Sequence, residues 1–289
     1  MIFVILYRKL FCIWDEIPGM PIVTNDMLTQ ILSFLEENDR YITHDFYVEA
    51  DDTVYTFDHT LRFESLWLLT NLIESNSDYT NFILQNNGIK LLTDLFSNTD
   101  DPHVTEQIIW TMGNLAGDSI LARTHIIESG FMESIFHFTS TEYLSEELRQ
   151  TLAWAMSNFS PGCLTKYNTY YAIGILSCLL SNYEKNDRTD SVIEDCCNAL
   201  VLMFKNTCQD SQSITIKDSK QIYEGFLYQL IQESNLHQFL IQNVMKLKEN
   251  PQIMVHIKNM ILKYVHFSFE TDEGKQTFFE NLQLTNEKD

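Results

Sequence analysis

Three tryptophans in this chain are each followed four residues later by an asparagine: Trp67 and Asn71, Trp110 and Asn114, Trp154 and Asn158. On a helix, residues four apart lie on one face, about one turn from each other. An Asn amide carries a donor and an acceptor, so it can hold a peptide N–H and C=O together without reading sequence. A Trp face attracts a cation and packs against its alkyl stem, at roughly 0.5–2 kcal/mol per contact. Three such pairs in phase form a ladder. With helix axes roughly 8–10 Å apart and an extended strand rising about 3.3 Å per residue, one step of the ladder matches two or three peptide residues. The pattern therefore predicts a groove for an extended cationic strand. Asn is a poor helix-interior residue, so its recurrence at three registered sites points to a task other than helix formation.

The elements that carry the pairs repeat as well. The tryptophans recur after 43 and then 44 residues, within FESLWLLTNL, EQIIWTMGNL and TLAWAMSNF. A helical period in the low forties belongs to armadillo and HEAT arrays. Apolar runs ending in Ile83-Leu84 and Ile126-Ile127 each precede a glycine, Gly88 and Gly130, which reads as a left-handed helix stop. An apolar middle helix follows each, starting at Ile89 and Met132. A polar turn comes next (Thr99 to Pro102 in one unit, Ser140 to Tyr143 in the other), then the Trp-bearing helix. Pro102 suits the first turn of that helix. The expected fold is all-α, an armadillo-repeat right-handed superhelical solenoid.

Four regions follow. Residues 1–20 form an N-terminal capping helix or extension. Residues 21–162 hold three clear repeats, the first beginning near Met27 and carrying a long acidic loop from Asp45 to Asp58. Residues 163–269 hold degenerate repeats, in which Asn198 takes the place of the Trp and Leu202 that of the Asn. Residues 270–289 form a polar tail.

Bulk composition limits the partners. Nineteen Lys and Arg against forty Asp and Glu give a formal charge of −21, which repels phosphate backbones and suits cationic proteins. Nucleic acid is therefore not an expected partner. The apolar stretch from Met1 to Trp14 is interrupted by Arg8 and Lys9 and is too short to span a bilayer. The six cysteines form no CxxC pair, so no metal or other cofactor is expected. The eight histidines pair with no nucleophile at a recognisable spacing, and no P-loop, GxGxxG, HExxH or G-x-S-x-G occurs, so the chain does not read as an enzyme. The alternative left open is an armadillo scaffold or sequestering protein for some other partner.

At the Trp/Asn residues the sequence resembles the importin alpha (karyopherin alpha) family, whose repeats carry W-A-L-x-N. WTMGNLAGD from Trp110 to Asp118 is similar to the family's G-N-I-A-G-D segment, and FESLWLLTN to F-E-S-A-W-A-L-T-N. The resemblance is specific from about Pro21 to Gly162 and is not visible beyond Thr207. It implies a nuclear import adaptor, shuttling between cytoplasm and nucleus, that binds lysine-rich nuclear localisation signals as extended peptides. It implies peptide-binding roles for Trp67, Asn71, Thr80, Trp110, Asn114, Asp118, Trp154 and Asn158, with Thr80 and Asp118 gripping the key lysine. Ser75 stands where the family has Gly; it, Glu106 and Gln107 are supporting candidates. Family members also bind importin beta through a basic N-terminal arm and carry about ten repeats. The first twenty residues here hold only Arg8 and Lys9 as cations, and the chain has room for five or six repeats. Coupling to importin beta is thus left open.

Overall fold

The computed structural model describes residues 23–36, 41–48, 53–141, 144–162, 166–181, 191–196, 198–200 and 202–203. The expected capping helix at 1–20, the repeats beyond 203 and the polar tail lie outside the described residues. The chain divides after Ser134 into two compact units.

The first unit starts with α1 (Asn25–Glu36), whose Leu28, Ile31, Leu32 and Leu35 fall at helical spacing and are buried. The Asp45–Asp58 stretch, expected as a loop, is instead part of an antiparallel hairpin, β1 (Tyr41–Val48) and β2 (Thr53–Thr60), with Tyr41 opposite Thr60 and Val48 opposite Thr53. The physical reason is in the letters. YITHDFYV and TVYTFDHT are rich in Thr, Val, Ile, Tyr and Phe, which suit a pleated strand, and their scattered acids do not outweigh that preference. The Asp51-Asp52 pair lies outside the described residues.

After the hairpin the helices repeat in threes. The long α2 (Leu61–Ser75) is followed by the short α3 (Ser77–Gln85), the middle α4 (Gly88–Asn98) and the long α5 (Pro102–Asp118). Then α6 (Ile120–Glu128) and α7 (Phe131–Thr141) begin the next repeat. Each long helix turns into the next short one at a single residue that caps it. The Asn76 side chain accepts from the Asp78 N–H at 2.9 Å, and Ser119 Oγ accepts from the Ala122 N–H at 3.3 Å. Such caps satisfy helix donors that have no partner within the helix. Pro102 sits in the first turn of α5 behind the cap Asp101, as its spacing predicts.

The two glycine stops differ. Gly130 is left-handed, with φ 86°. At the earlier corner the left-handed residue is Asn87, φ 56°, and Gly88 opens α4. Asn tolerates that conformation better than other non-glycine residues. Gly88 is needed for closeness instead: a Cβ there falls 2.5 Å from Ile83 Cγ2.

The core of this unit is a continuous row of aliphatic side chains. Leu66, Leu69 and Leu72 of α2 and Ile108, Met112 and Leu115 of α5 are fully buried, with Ile83 and Leu92 beside them in sequence order. Each such side chain contributes about 1.5–3 kcal/mol on leaving water. Arg62 ties α2 to α1, its Nε donating to the Leu35 carbonyl at 3.0 Å, where a cation at a helix C-terminus is favoured.

The second unit repeats these devices. Helix α8 (Glu146–Phe159) runs into a 3-10 turn (Ser160–Gly162), then comes α9 (Lys166–Ser181), and residues 191–203 are helical where described. Arg149 Nη1 donates to the Leu179 carbonyl at 3.0 Å near the end of α9. Gly174 lets α9 approach Phe136, whose Cε2 lies 2.3 Å from where a Cβ would stand. Of the described cysteines, Cys178 and Cys196 are thiols rather than halves of a disulfide.

Candidate functional site

The three tryptophans are not core residues. Trp110 is 47% exposed, and Trp67 and Trp154 are half-buried, while the aliphatic side chains beside them in sequence are buried. Asn71, Asn114 and Asn158 are also half-buried. Each pair therefore sits at the solvent edge of its helix, Trp67 and Asn71 on α2, Trp110 and Asn114 on α5, Trp154 and Asn158 on α8.

Helices α2 and α5 pack against each other in the first unit, and a buried polar ring sets their register. Gln107 Nε2 donates to Thr70 Oγ1 at 2.9 Å, the Thr70 and Thr111 hydroxyls meet at 2.9 Å, and Thr111 Oγ1 donates to the Gln107 carbonyl at 2.8 Å. Each hydroxyl has one proton. The bonds close as a ring when Thr70 donates to Thr111, the Leu66 carbonyl at 3.0 Å being the other acceptor open to the Thr70 proton. Gln107, a supporting candidate from sequence, is thus a buried link between helices. Three residues before Trp110, Gln107 lies on an adjoining helix face, turned toward α2. Glu106, four residues before Trp110, is half-buried.

Sequence reasoning missed what steadies Trp67. Phe63 meets it edge to face with ring centroids 5.7 Å apart, and His103 at the start of α5 meets Phe63 at 6.4 Å. Phe63 stands one turn before Trp67, which is the signal that could have found it.

Of the residues expected to grip a lysine, Asp118 is linked to the start of α3, and Thr80 lies within α3. Asp118, the last residue of α5, is exposed, and its Oδ1 accepts a hydrogen bond from Ser77 Oγ at 2.7 Å. Ser77 opens α3, and Thr80 lies one turn further along the same helix. Thr80 is 1% exposed, and its hydroxyl has no hydrogen-bond partner. A buried unsatisfied hydroxyl costs about 1–3 kcal/mol, so its retention calls for an account. Ser75 turns its hydroxyl back on its own helix, donating to the Leu72 carbonyl at 2.7 Å.

The equivalent corner after α5 is built differently. Nine residues after Asn71 stands Thr80; nine after Asn114 stands Arg123. Its Nε donates to the Ala116 carbonyl at 3.0 Å, and burial pushes its guanidinium below the usual range. Among the described residues no group of three or more His, Cys, Asp or Glu could hold a metal ion. No described helix is long and apolar enough to cross a membrane.

Comparison with known proteins agrees with this architecture. Residues 76–117, which span α3, α4 and nearly all of α5, match the Armadillo/beta-catenin-like repeat. The chain is 28% identical over 159 residues to importin subunit alpha-6 of Arabidopsis thaliana, covering 54% of this chain and 25% of that protein. It is 25% identical over 208 residues to importin subunit alpha-1b of Oryza sativa subsp. japonica, covering 72% and 35%, and 35% identical over 102 residues to importin subunit alpha-5 of Arabidopsis thaliana, covering 35% and 19%. The chain thus spans about a third or less of the length of these relatives. Among solved structures, an engineered protein superposes with a TM-score of 0.57 at 14% identity, covering 97% of this chain and 89% of that one. A designed armadillo repeat protein in complex with the peptide (KR)4 superposes with a TM-score of 0.54 at 16% identity, covering 83% and 82%. These two establish the likeness of fold.

Proposed function

We propose that this chain, which carries an armadillo-type repeat and is similar to importin alpha subunits, is a nuclear import adaptor that binds lysine-rich nuclear localisation signals as extended peptides. Its working places are the cytoplasm and the nucleus. The observation that carries the reading is the corner at Asp118. An exposed carboxylate, at the end of a helix bearing a half-exposed Trp and a half-buried Asn, is held in place by Ser77, and one turn beyond Ser77 on its helix a buried threonine hydroxyl lacks a partner.

The mechanism follows from the chemistry of each group. Asn71, Asn114 and Asn158 take the peptide backbone, donating to its C=O and accepting from its N–H. Trp67, Trp110 and Trp154 take the alkyl stems of Lys or Arg on their faces. Asp118 takes the ammonium of one lysine, aided by the carbonyls at the C-terminus of α5, where cations are favoured. Thr80 Oγ1 accepts one of the three ammonium protons, which gives the hydroxyl the partner it lacks. Because that oxygen is closed off from solvent, its engagement requires Thr80 to rotate about χ1. The −21 charge of the chain draws basic segments from solution.

Fluorescence anisotropy with a labelled lysine-rich octapeptide, at low and at physiological salt, tests this reading. Saturable binding that weakens with salt and is lost when glutamates replace the lysines is the expected result. Equal affinity for the lysine and glutamate peptides would overturn it and leave an armadillo scaffold for another partner.

A further inference from the structure

We propose that Ser77 is a specificity-positioning residue that makes the Asp118 corner prefer lysine over arginine. The inference rests on the peptide-binding reading above and deepens it. Asp118 closes α5, where the unsatisfied carbonyls disfavour an anion, while Ser77 opens α3, where the N-terminal end of the helix favours one. The carboxylate therefore leans toward α3, and Ser77 Oγ fixes it there by donating to Oδ1 at 2.7 Å.

This bond alters what the carboxylate can recognise. An arginine fork is held best when both carboxylate oxygens accept two parallel N–H bonds. With Oδ1 already engaged by Ser77, the fork cannot take both oxygens on equal terms. An ammonium is a compact point charge with three rotatable donors; it needs Oδ2 alone and can turn its other protons to neighbouring acceptors. Neither of the two preceding residues competes for the role. Ser75 spends its proton on the Leu72 carbonyl, and the cap of α3 is Asn76, whose side chain accepts from the Asp78 N–H. Ser77 is thus dispensable for the cap and available for Asp118.

The experiment measures the affinity of the full chain for a lysine-rich octapeptide and for its all-arginine counterpart. The proteins are wild type, Ser77→Ala and Ser77→Thr, each checked for unchanged helicity by circular dichroism. Wild type is expected to favour the lysine peptide. In Ser77→Ala the lysine affinity is expected to fall roughly threefold to fivefold, within the range for an ordinary protein hydrogen bond because this one is exposed to water, while the arginine affinity holds or rises. Threonine, which keeps the hydroxyl, is expected to restore the wild-type ratio. A wild-type preference that persists unchanged in Ser77→Ala overturns the role of Ser77 and leaves the peptide-binding reading standing. Loss of the ratio without rescue by threonine also overturns it. Wild type binding neither peptide overturns the peptide-binding reading itself.

Discussion

The rung on α5 and the rung on α8 carry the same pair, Trp then Asn, and part company four residues later. After Asn114 comes Asp118, exposed and held by Ser77. After Asn158 comes Gly162, the end of a 3-10 turn. The groups suited to a peptide backbone and to alkyl stems recur, whereas the carboxylate does not. Sequence-tolerant gripping can be spread over many repeats, because every peptide offers a backbone and every basic side chain a stem. Reading a charge takes one committed site, because an anion at each helix C-terminus is disfavoured by the macrodipole. The first unit also contrasts with itself: Thr80 at one corner is replaced at the next by Arg123, whose Nε is used on the Ala116 carbonyl. Under the proposed function, a cation there would disfavour a second lysine at that corner.

Reversing the charge at the committed site gives the largest expected effect. Asp118→Lys is expected to weaken lysine-peptide binding by about 2–3 kcal/mol, roughly 100-fold, with little change in thermal stability because the side chain is exposed; anisotropy and a melting curve check both. Next come the two tryptophans. Trp110→Ala is expected to cost about 1.5 kcal/mol of peptide affinity and Trp154→Ala about 0.7 kcal/mol, within the range of cation–π and stem contacts, because Asp118 follows the first pair where Gly162 follows the second. Equal losses would remove the distinction drawn between the rungs.

Thr80→Val sharpens the comparison from the stability side. Replacing a buried, unpartnered hydroxyl by a methyl of similar shape is expected to stabilise the fold by about 1 kcal/mol and to weaken lysine binding about fivefold, the opposite signs that a strained functional residue gives. Denaturant unfolding and peptide titration on the same variant measure the two. The smallest effect concerns the second unit. Burial and the neighbouring Glu194 charge push the Asp195 carboxyl up to about 6. Its folded state therefore holds a proton more firmly than the unfolded chain does, and stability falls as pH rises from about 4 through about 6. Asp195 is only half-buried, so solvent screening limits the change to under about 1 kcal/mol. Asp195→Asn is expected to flatten that part of the stability profile, followed by thermal melts between about pH 3.5 and about pH 7.

The repeat frame was legible because it is written in periods. The 43–44 residue spacing, the 3.6-residue stripes and Pro102 each report a local rule, and the helices that carry Trp67, Trp110 and Trp154 lie where those rules put them. The hairpin was not legible because its acidic letters match a solvated loop, while the Thr, Val, Ile, Tyr and Phe between them favour paired strands. Gly88 was misread because a glycine between helices can serve conformation or closeness, and only coordinates show Ile83 against it. Gln107 and Ser77 illustrate the deeper limit. Whether a polar side chain points outward or toward a neighbouring helix depends on packing between segments 37 to 41 residues apart. Period analysis places such residues on faces but does not say which face meets which.

The proposed function requires Trp67, Trp110 and Trp154 each to meet the same basic strand. The most direct measurement follows the indole N–H resonances of Trp67, Trp110 and Trp154, assigned by Trp→Phe variants, while a lysine-rich octapeptide is titrated in. All three resonances moving with one shared dissociation constant is the predicted result. Resonances that stay still at saturation, or that move with unrelated constants, would contradict the account.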